Sequence, residues 1–97
     1  MAGAVVSEAL RKVEFRLDGR RIPGARSVVL TGTFNQWDGS THRLALDDDG
    51  WWTARLFLPP GGYSYLFVVD GFPWNDPEDD LRVQSEWGGQ YSVRIVQ

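Results

Sequence analysis

Two tryptophans in this chain stand where surface chemistry would need them. Trp37 closes the run Val28-Val29-Leu30-Thr31-Gly32-Thr33-Phe34-Asn35-Gln36-Trp37, which reads as a strand ending in a polar turn. Trp74 closes Tyr65-Leu66-Phe67-Val68-Val69-Asp70-Gly71-Phe72-Pro73-Trp74 in the same way, after an Asp-Gly turn. An indole is large, flat and apolar with a single N–H, so an exposed one suits a flat partner with polar edges. A hexose has that shape: its C–H face lies on the ring while its hydroxyls reach neighbouring polar groups. The structural alternative is that each indole folds back to plug an end of the core, since Trp is highly buried on average. Asn35 and Gln36 flank Trp37, and either amide could meet a hydroxyl. For Asn35 the favoured expectation is a bond to the backbone of its own turn.

Other residue types invite chemistry that their spacing does not sustain. His42 is the only histidine; it reads as a solvent-exposed loop residue, and a metal site needs more ligands. Asp47-Asp48-Asp49 lacks the length and spacing of a calcium loop and reads as a solvated hairpin tip. Asp76, Glu78, Asp79 and Asp80 could be imagined as a glycosidase pair. That chemistry needs two carboxyls facing each other across a sugar, one with a raised pKa. A charge run beside Pro77 reads instead as solvated. No Ser–His–Asp arrangement, P-loop or dinucleotide fingerprint occurs. The expectation is a non-enzyme without cofactor or metal.

Composition narrows the class further. The 97 residues are one domain's worth and can bury one modest core but no deep cleft. A net charge of -3 argues against nucleic acid, whose phosphates call for a basic surface. There is no Cys, so neither disulfides nor thiolate metal sites form. No run reaches membrane-spanning length. Met1-Ala2-Gly3-Ala4-Val5-Val6 lacks the basic segment and long apolar run of a signal peptide, so a cytoplasmic location is expected.

The elements that must position the tryptophans are strands. Residues 1–10 read as a flexible segment in which Ser7-Glu8-Ala9-Leu10 could cap a helical turn. From Lys12 onward Val13, Phe15 and Leu17 alternate with Glu14 and Arg16, the period of a half-buried strand. Asp18-Gly19 turns the chain, and a basic connection with Pro23-Gly24 leads to a strand over about 27–34. Leu44 and Leu46 mark a short strand, and Asp47-Asp48-Asp49-Gly50 closes a hairpin. Trp52, Ala54, Leu56 and Leu58 alternate with Trp51, Thr53, Arg55 and Phe57. If Trp51 and Phe57 are both exposed they make an apolar patch fit for a protein partner; the alternative is cover by Arg55 and neighbouring strands. Residues 63–69 form the strongest strand, rich in aromatic and β-branched side chains. A loop through Pro77, a short strand near 81–83 and a last strand near 90–96 follow. Phe34, Trp52, Leu56, Leu58, Tyr65, Phe67 and Val69 fall on the apolar phase and are expected in the core. Strands with turns every ten or so residues, and no helical period, predict an all-β antiparallel sandwich.

Several short elements also resemble a known family. They are Gly32-x-Phe34-Asn35-x-Trp37, Gly50-x-Trp52, Leu58-Pro59-x-Gly61, Tyr65-x-Phe67-x-Val69-Asp70-Gly71, Asp76-Pro77 and Gly88-Gly89-x-x-Ser92-Val93. In this order and at this spacing they resemble the starch- and glycogen-binding modules found at the N-termini of isoamylase-type and branching enzymes and in the β subunit of AMP-activated protein kinase. The likeness covers roughly residues 27–96. It implies an immunoglobulin-like, early-set sandwich over residues 11–97. It also implies a sugar site of two Trp, a Lys, a Leu, a Thr and an Asn. Trp37 matches the first Trp. A gapless alignment puts Pro73 at the second and Trp74 one place later, and Trp74 is expected to take the role. The Lys position falls on Leu66, which can press on a sugar but donates nothing to a hydroxyl. The Leu position falls on Trp87, a third ring; the Thr position falls on Gly89; the Asn position falls on Tyr91, which can stack or donate its O–H.

The expected function is that of a non-catalytic α-glucan-binding module, stacking glucose on Trp37 and Trp74 with Trp87, Tyr91, Leu66 and Asn35 around them. Its ligand would be an α-glucan polysaccharide or maltooligosaccharide, and it would bring a partner enzyme or subunit to the polymer. The rival is a protein-interaction domain that kept the sandwich and lost sugar binding, with Trp51 and Phe57 as its working face.

Overall fold

In the computed structural model, which describes residues 9–97, all regular structure is extended apart from two short 3-10 turns, Gly19–Arg21 and Thr33–Asn35. The strands are β1 (Arg11–Asp18), β2 (Val28–Gly32), β3 (His42–Arg43), β4 (Ala45–Leu46), β5 (Trp51–Leu58), β6 (Gly61–Val69), β7 (Phe72–Trp74), β8 (Leu81–Gln84) and β9 (Gln90–Val96). The expectation for residues 1–10 falls largely outside the described residues; β1 begins at Arg11. Two antiparallel sheets form an immunoglobulin-like sandwich. One has the order β1-β5-β4; the other has six strands in the order β3-β2-β6-β9-β8, with β7 beside the C-terminal half of β6.

Binary pattern explains most of this. In β1, Val13, Phe15 and Leu17 are buried while Lys12, Glu14 and Arg16 face solvent. β6 puts Tyr65 and Phe67, both fully enclosed, into the same core. The Phe15 ring meets Tyr65 edge-on at 4.9 Å, the geometry that ring quadrupoles favour. Leu56, Leu58 and Val69 are buried as expected, whereas Phe34 and Trp52 are only partly covered and pack against the margin of the core. The expected single strand through Leu44 and Leu46 is two pieces. β3 pairs with β2, β4 pairs with β5, and the chain changes sheets at the buried Leu44.

Two turns decide where the tryptophans go. β2 ends at Gly32, short of the expected bound near residue 34, because the Thr33–Asn35 3-10 turn begins there and Asn35 Oδ1 takes the Gly32 N–H; Gly32 also lies too close to β6 for a side chain. A Cβ there would come within 2.5 Å of the Ser64 carbonyl oxygen and 2.9 Å of the Phe34 ring. The other is Asp70-Gly71, with φ of +49° and +88°. Successive positive φ values give the tight hairpin that matches strand twist. They fold Phe72–Trp74 back onto β6 as a strand, where the sequence suggested only a loop.

A polar latch that the sequence did not disclose fastens the loop after β7. Asp76 is fully buried, not solvated as its charge run implied. Its Oδ2 accepts the Tyr65 hydroxyl at 2.6 Å and its Oδ1 accepts the Glu78 N–H at 2.8 Å. Its own N–H donates to Ser92 Oγ at 3.0 Å, and the Arg94 guanidinium lies 3.8 Å away. Burial raises the Asp76 pKa, while the Tyr65 and Glu78 donors and Arg94 pull the other way. Tyr65, buried beside that carboxylate, has its own pKa raised.

Candidate functional site

Side chains directly opposite in an antiparallel ladder share a face, so the register sorts the candidate residues. Tyr65, Phe67 and Val69 of β6 point into the core, and Leu66 and Val68 point out. On β9, Ser92 is enclosed and Tyr91, Val93 and Ile95 take the outer phase, opposite Val83, Leu81 and Gly62 in turn. Every outward position on β2, β6, β7, β8 and β9 is uncharged; the edge strand β3 adds one charge, the exposed Arg43, opposite Val29. The other sheet's outer surface is different in kind. There Glu14 pairs with Arg55, and the Arg16 guanidinium lies 4.4 Å over Trp51 while bonding Glu78.

Trp37 sits on this outer face against Tyr91, and the chain strains to put it there. Gln36 and Trp37 are both left-handed, at φ of +52° and +61°. For bulky side chains this costs on the order of 1 kcal/mol each and persists only where surroundings impose it. The imposing contacts come from Asn35. Its Oδ1 accepts the Gly32 N–H at 3.0 Å, and its Nδ2 donates to the Leu30 carbonyl at 3.1 Å and to His42 Nδ1 at 3.0 Å. The Trp37 N–H then closes on the Gly32 carbonyl at 2.9 Å. Asn35 is buried, so it builds the turn and does not face a ligand. His42, expected in solvent, is half-buried because it completes this bond set.

Three rings meet on this face. The Trp37 and Tyr91 centroids are 4.6 Å apart and the planes are tilted by 35°. Trp87 stands against Tyr91 at 6.3 Å, nearly perpendicular. Trp37 is 38% exposed and Trp87 53%. The Tyr91 hydroxyl donates to Glu86 Oε1 at 3.1 Å. Partial desolvation and that carboxylate raise its pKa. Gly89 makes the arrangement possible, since a Cβ built there would overlap the Trp87 ring. Gly89 and Trp87 are therefore one feature: the missing side chain makes room for the ring.

The remaining expected site residues lie elsewhere. Leu66 is on the platform side but only 7% exposed, so it supports the face from beneath and cannot press on a sugar. Trp74 pairs with Phe67, which puts its side chain on the opposite face of the sheet from Tyr91 and Trp37. It is 39% exposed, but the expectation that it lies on one side with Trp37 is corrected. Pro73, paired with Val68, holds the platform-side position. The sequence could not show this, because a one-residue slip in a strand reverses its faces.

A sheet face carrying a group of part-exposed rings is a shallow surface suited to binding. Comparison with known proteins gives the family. The model of the glycogen recognition site of AMP-activated protein kinase matches residues 15–93, and the chain belongs to this family of carbohydrate-binding modules. It is 42% identical over 53 residues to the chloroplastic protein FLOURY ENDOSPERM 6 of Oryza sativa subsp. japonica, covering 55% of this chain and 10% of that protein. It is 36% identical over 52 residues to the 1,4-alpha-glucan branching enzyme GlgB of Synechococcus elongatus, covering 52% and 6%. It is 34% identical over 65 residues to the 5'-AMP-activated protein kinase subunit beta-2 of Homo sapiens, covering 67% and 23%. The chain thus spans less than a quarter of each of these relatives. Among solved structures, the maltogenic amylase from S. marinus superposes with a TM-score of 0.71 at 20% identity, over 89% of this chain and 13% of that one. That likeness concerns the fold alone. Among the described residues no helix is long and apolar enough to cross a membrane.

Proposed function

We propose that this protein binds α-glucan by stacking glucose rings on the Trp37–Tyr91–Trp87 row. It serves as a module or subunit that brings a partner to glycogen- or starch-like polymer. The observation that carries the reading is the strained turn that presents Trp37 against Tyr91 on the outer face of the larger sheet. A left-handed Gln36-Trp37 pair is costly, and such strain gathers where a side chain must be aimed. Aromatic area dominates this site and donors are few: Leu66 replaces a Lys and Tyr91 spends its hydroxyl on Glu86. The exposed amide of Gln36, next to Trp37, and the Glu86 carboxylate, bonded to Tyr91, can meet sugar hydroxyls. A shallow row buries little of a short ligand, so affinity for maltooligosaccharides is weak and polymer binding depends on many contacts. Membership of a glycogen-recognition family and the likeness to a branching enzyme support the ligand class.

The test is retention on glycogen and calorimetry with maltoheptaose. If the ligand covers the exposed 38% of Trp37, roughly 95 Å² of a ~250 Å² residue is buried. At about 25 cal/mol per Å² that is about 2 kcal/mol, or roughly thirtyfold in affinity. Trp37→Ala should weaken binding by that order, with the folded far-UV spectrum retained. Trp51→Ala, on the opposite sheet, should bind as the wild type does. Equal binding by the wild type and Trp37→Ala would refute the platform.

A further inference from the structure

The register that separates Trp74 from the platform gives it a different setting. Phe72 and Trp74 are two apart on β7, so their rings project to the same side, the one that carries Phe67. Neither is taken up by the core: Phe72 is 72% exposed and Trp74 39%. They line an open cavity of about 360 Å³ together with the Ile22–Ala25 turn, Val69 and Asp70. Asp70 is tied there to the Arg26–Ser27 backbone. Its Oδ1 accepts the N–H groups of Arg26 at 2.9 Å and Ser27 at 2.8 Å, and its own N–H donates to the Ser27 carbonyl at 2.9 Å. Among the described residues its Oδ2 receives no hydrogen bond, which leaves an acceptor on a residue that lines the same cavity as the two rings.

We infer that this cavity is a second α-glucan site, on the opposite face of the sheet from the platform. It takes one or two glucose units, with ring faces on Trp74 and Phe72 and hydroxyls on Asp70. The inference rests on the glucan reading of the platform and extends it. Chemistry selects a polyol over an apolar side chain. An apolar group entering here would strip water from the carboxylate and return no donor, which is costly. A sugar offers C–H faces to the rings and O–H donors to the acceptor at once. Rings two residues apart on a strand lie about 7 Å from each other, the scale of a disaccharide. The volume is within the usual range for a small-ligand site. Two sites on opposite faces make a small module bivalent, able to hold two glucan strands and to gain avidity on a branched polymer.

The test follows the five indole N–H signals by NMR during a titration with maltoheptaose, Trp74 being identified by Trp74→Phe. The Trp74 signal should shift in the wild type and also in Trp37→Ala, where the platform is disabled. Phe72→Ser, at a position with little to lose in the fold, should weaken the Trp74 response by about fivefold or more and leave the Trp87 response as it was. A Trp74 signal that stays still while Trp87 saturates overturns the second site and leaves the platform standing. A Trp74 signal that moves only in step with Trp87, and is lost in Trp37→Ala, overturns it equally. Silence from both Trp87 and Trp74 in the wild type removes the glucan reading itself, and the second site with it.

Discussion

Tyr65→Phe removes a single oxygen from the centre of the molecule and should be costly. The Tyr65 hydroxyl donates to Asp76 Oδ2 at 2.6 Å, and both residues are fully enclosed. The ring is retained, so no appreciable cavity opens, and the loss is that of a hydrogen bond to a charged acceptor. Such bonds contribute about 1.5–3 kcal/mol. A deficit near 2 kcal/mol lowers Tm by roughly 8–16 °C in a domain of this size. The deficit also has a definite pH dependence. The Tyr65 donor lowers the Asp76 pKa against the upward push of burial, so its removal raises that pKa further. A carboxyl whose folded pKa is raised contributes stability fully below its unfolded pKa and loses it as pH rises through the folded value. The variant should therefore lag the wild type most at neutral pH and recover part of the difference near pH 4. Urea titrations followed by Trp fluorescence at pH 4 and pH 7 provide the measurement. A loss under ~0.5 kcal/mol at pH 7, or one that grows on acidification, would show that the latch does not hold the loop as described.

Two more outcomes follow from the packing. Phe67→Ala should cost about 3–5 kcal/mol, the range for deleting a fully buried ring; a loss below ~1 kcal/mol in chemical denaturation would mean that the β6 phase is inverted. Gly89→Ala should push the Trp87 ring off the hairpin, seen as a change in Trp87–Tyr91 nuclear Overhauser contacts, and weaken maltoheptaose binding with little change in Tm; unaltered contacts would contradict the claim that Gly89 seats Trp87.

What the sequence by itself determined was set by local physics. Period-two alternation in Val13-Glu14-Phe15-Arg16-Leu17 states which face is buried, whatever that face meets, because the hydrophobic effect acts on each side chain wherever the core lies. Asp70-Gly71 and Asp47-Asp48-Asp49-Gly50 announce turns through their own backbone preferences, and the Asp47 carboxylate does accept the Asp49 and Trp51 N–H groups. The ordered elements from Gly32 to Val93 were enough to point to the family. Asn35 was legible too, since an Asn in a polar turn most readily bonds its own backbone.

Tertiary structure decided the site, because a site depends on which strand lies opposite which. Trp74 and Pro73 are neighbours in sequence and opposites in space; only the pairing of β7 with β6 reveals which faces the platform. Leu66 occupies an outward position yet is covered, a result of packing around the strand that no alternation reports. Tyr91 and Trp37, 54 residues apart by their numbers, become a pair of touching rings through the order β2-β6-β9. Asp76 looked like one of four solvated acids. It is a buried anchor because Tyr65, Ser92 and Arg94, distant along the chain, converge on it, and a carboxylate is kept in a core only where such partners are supplied.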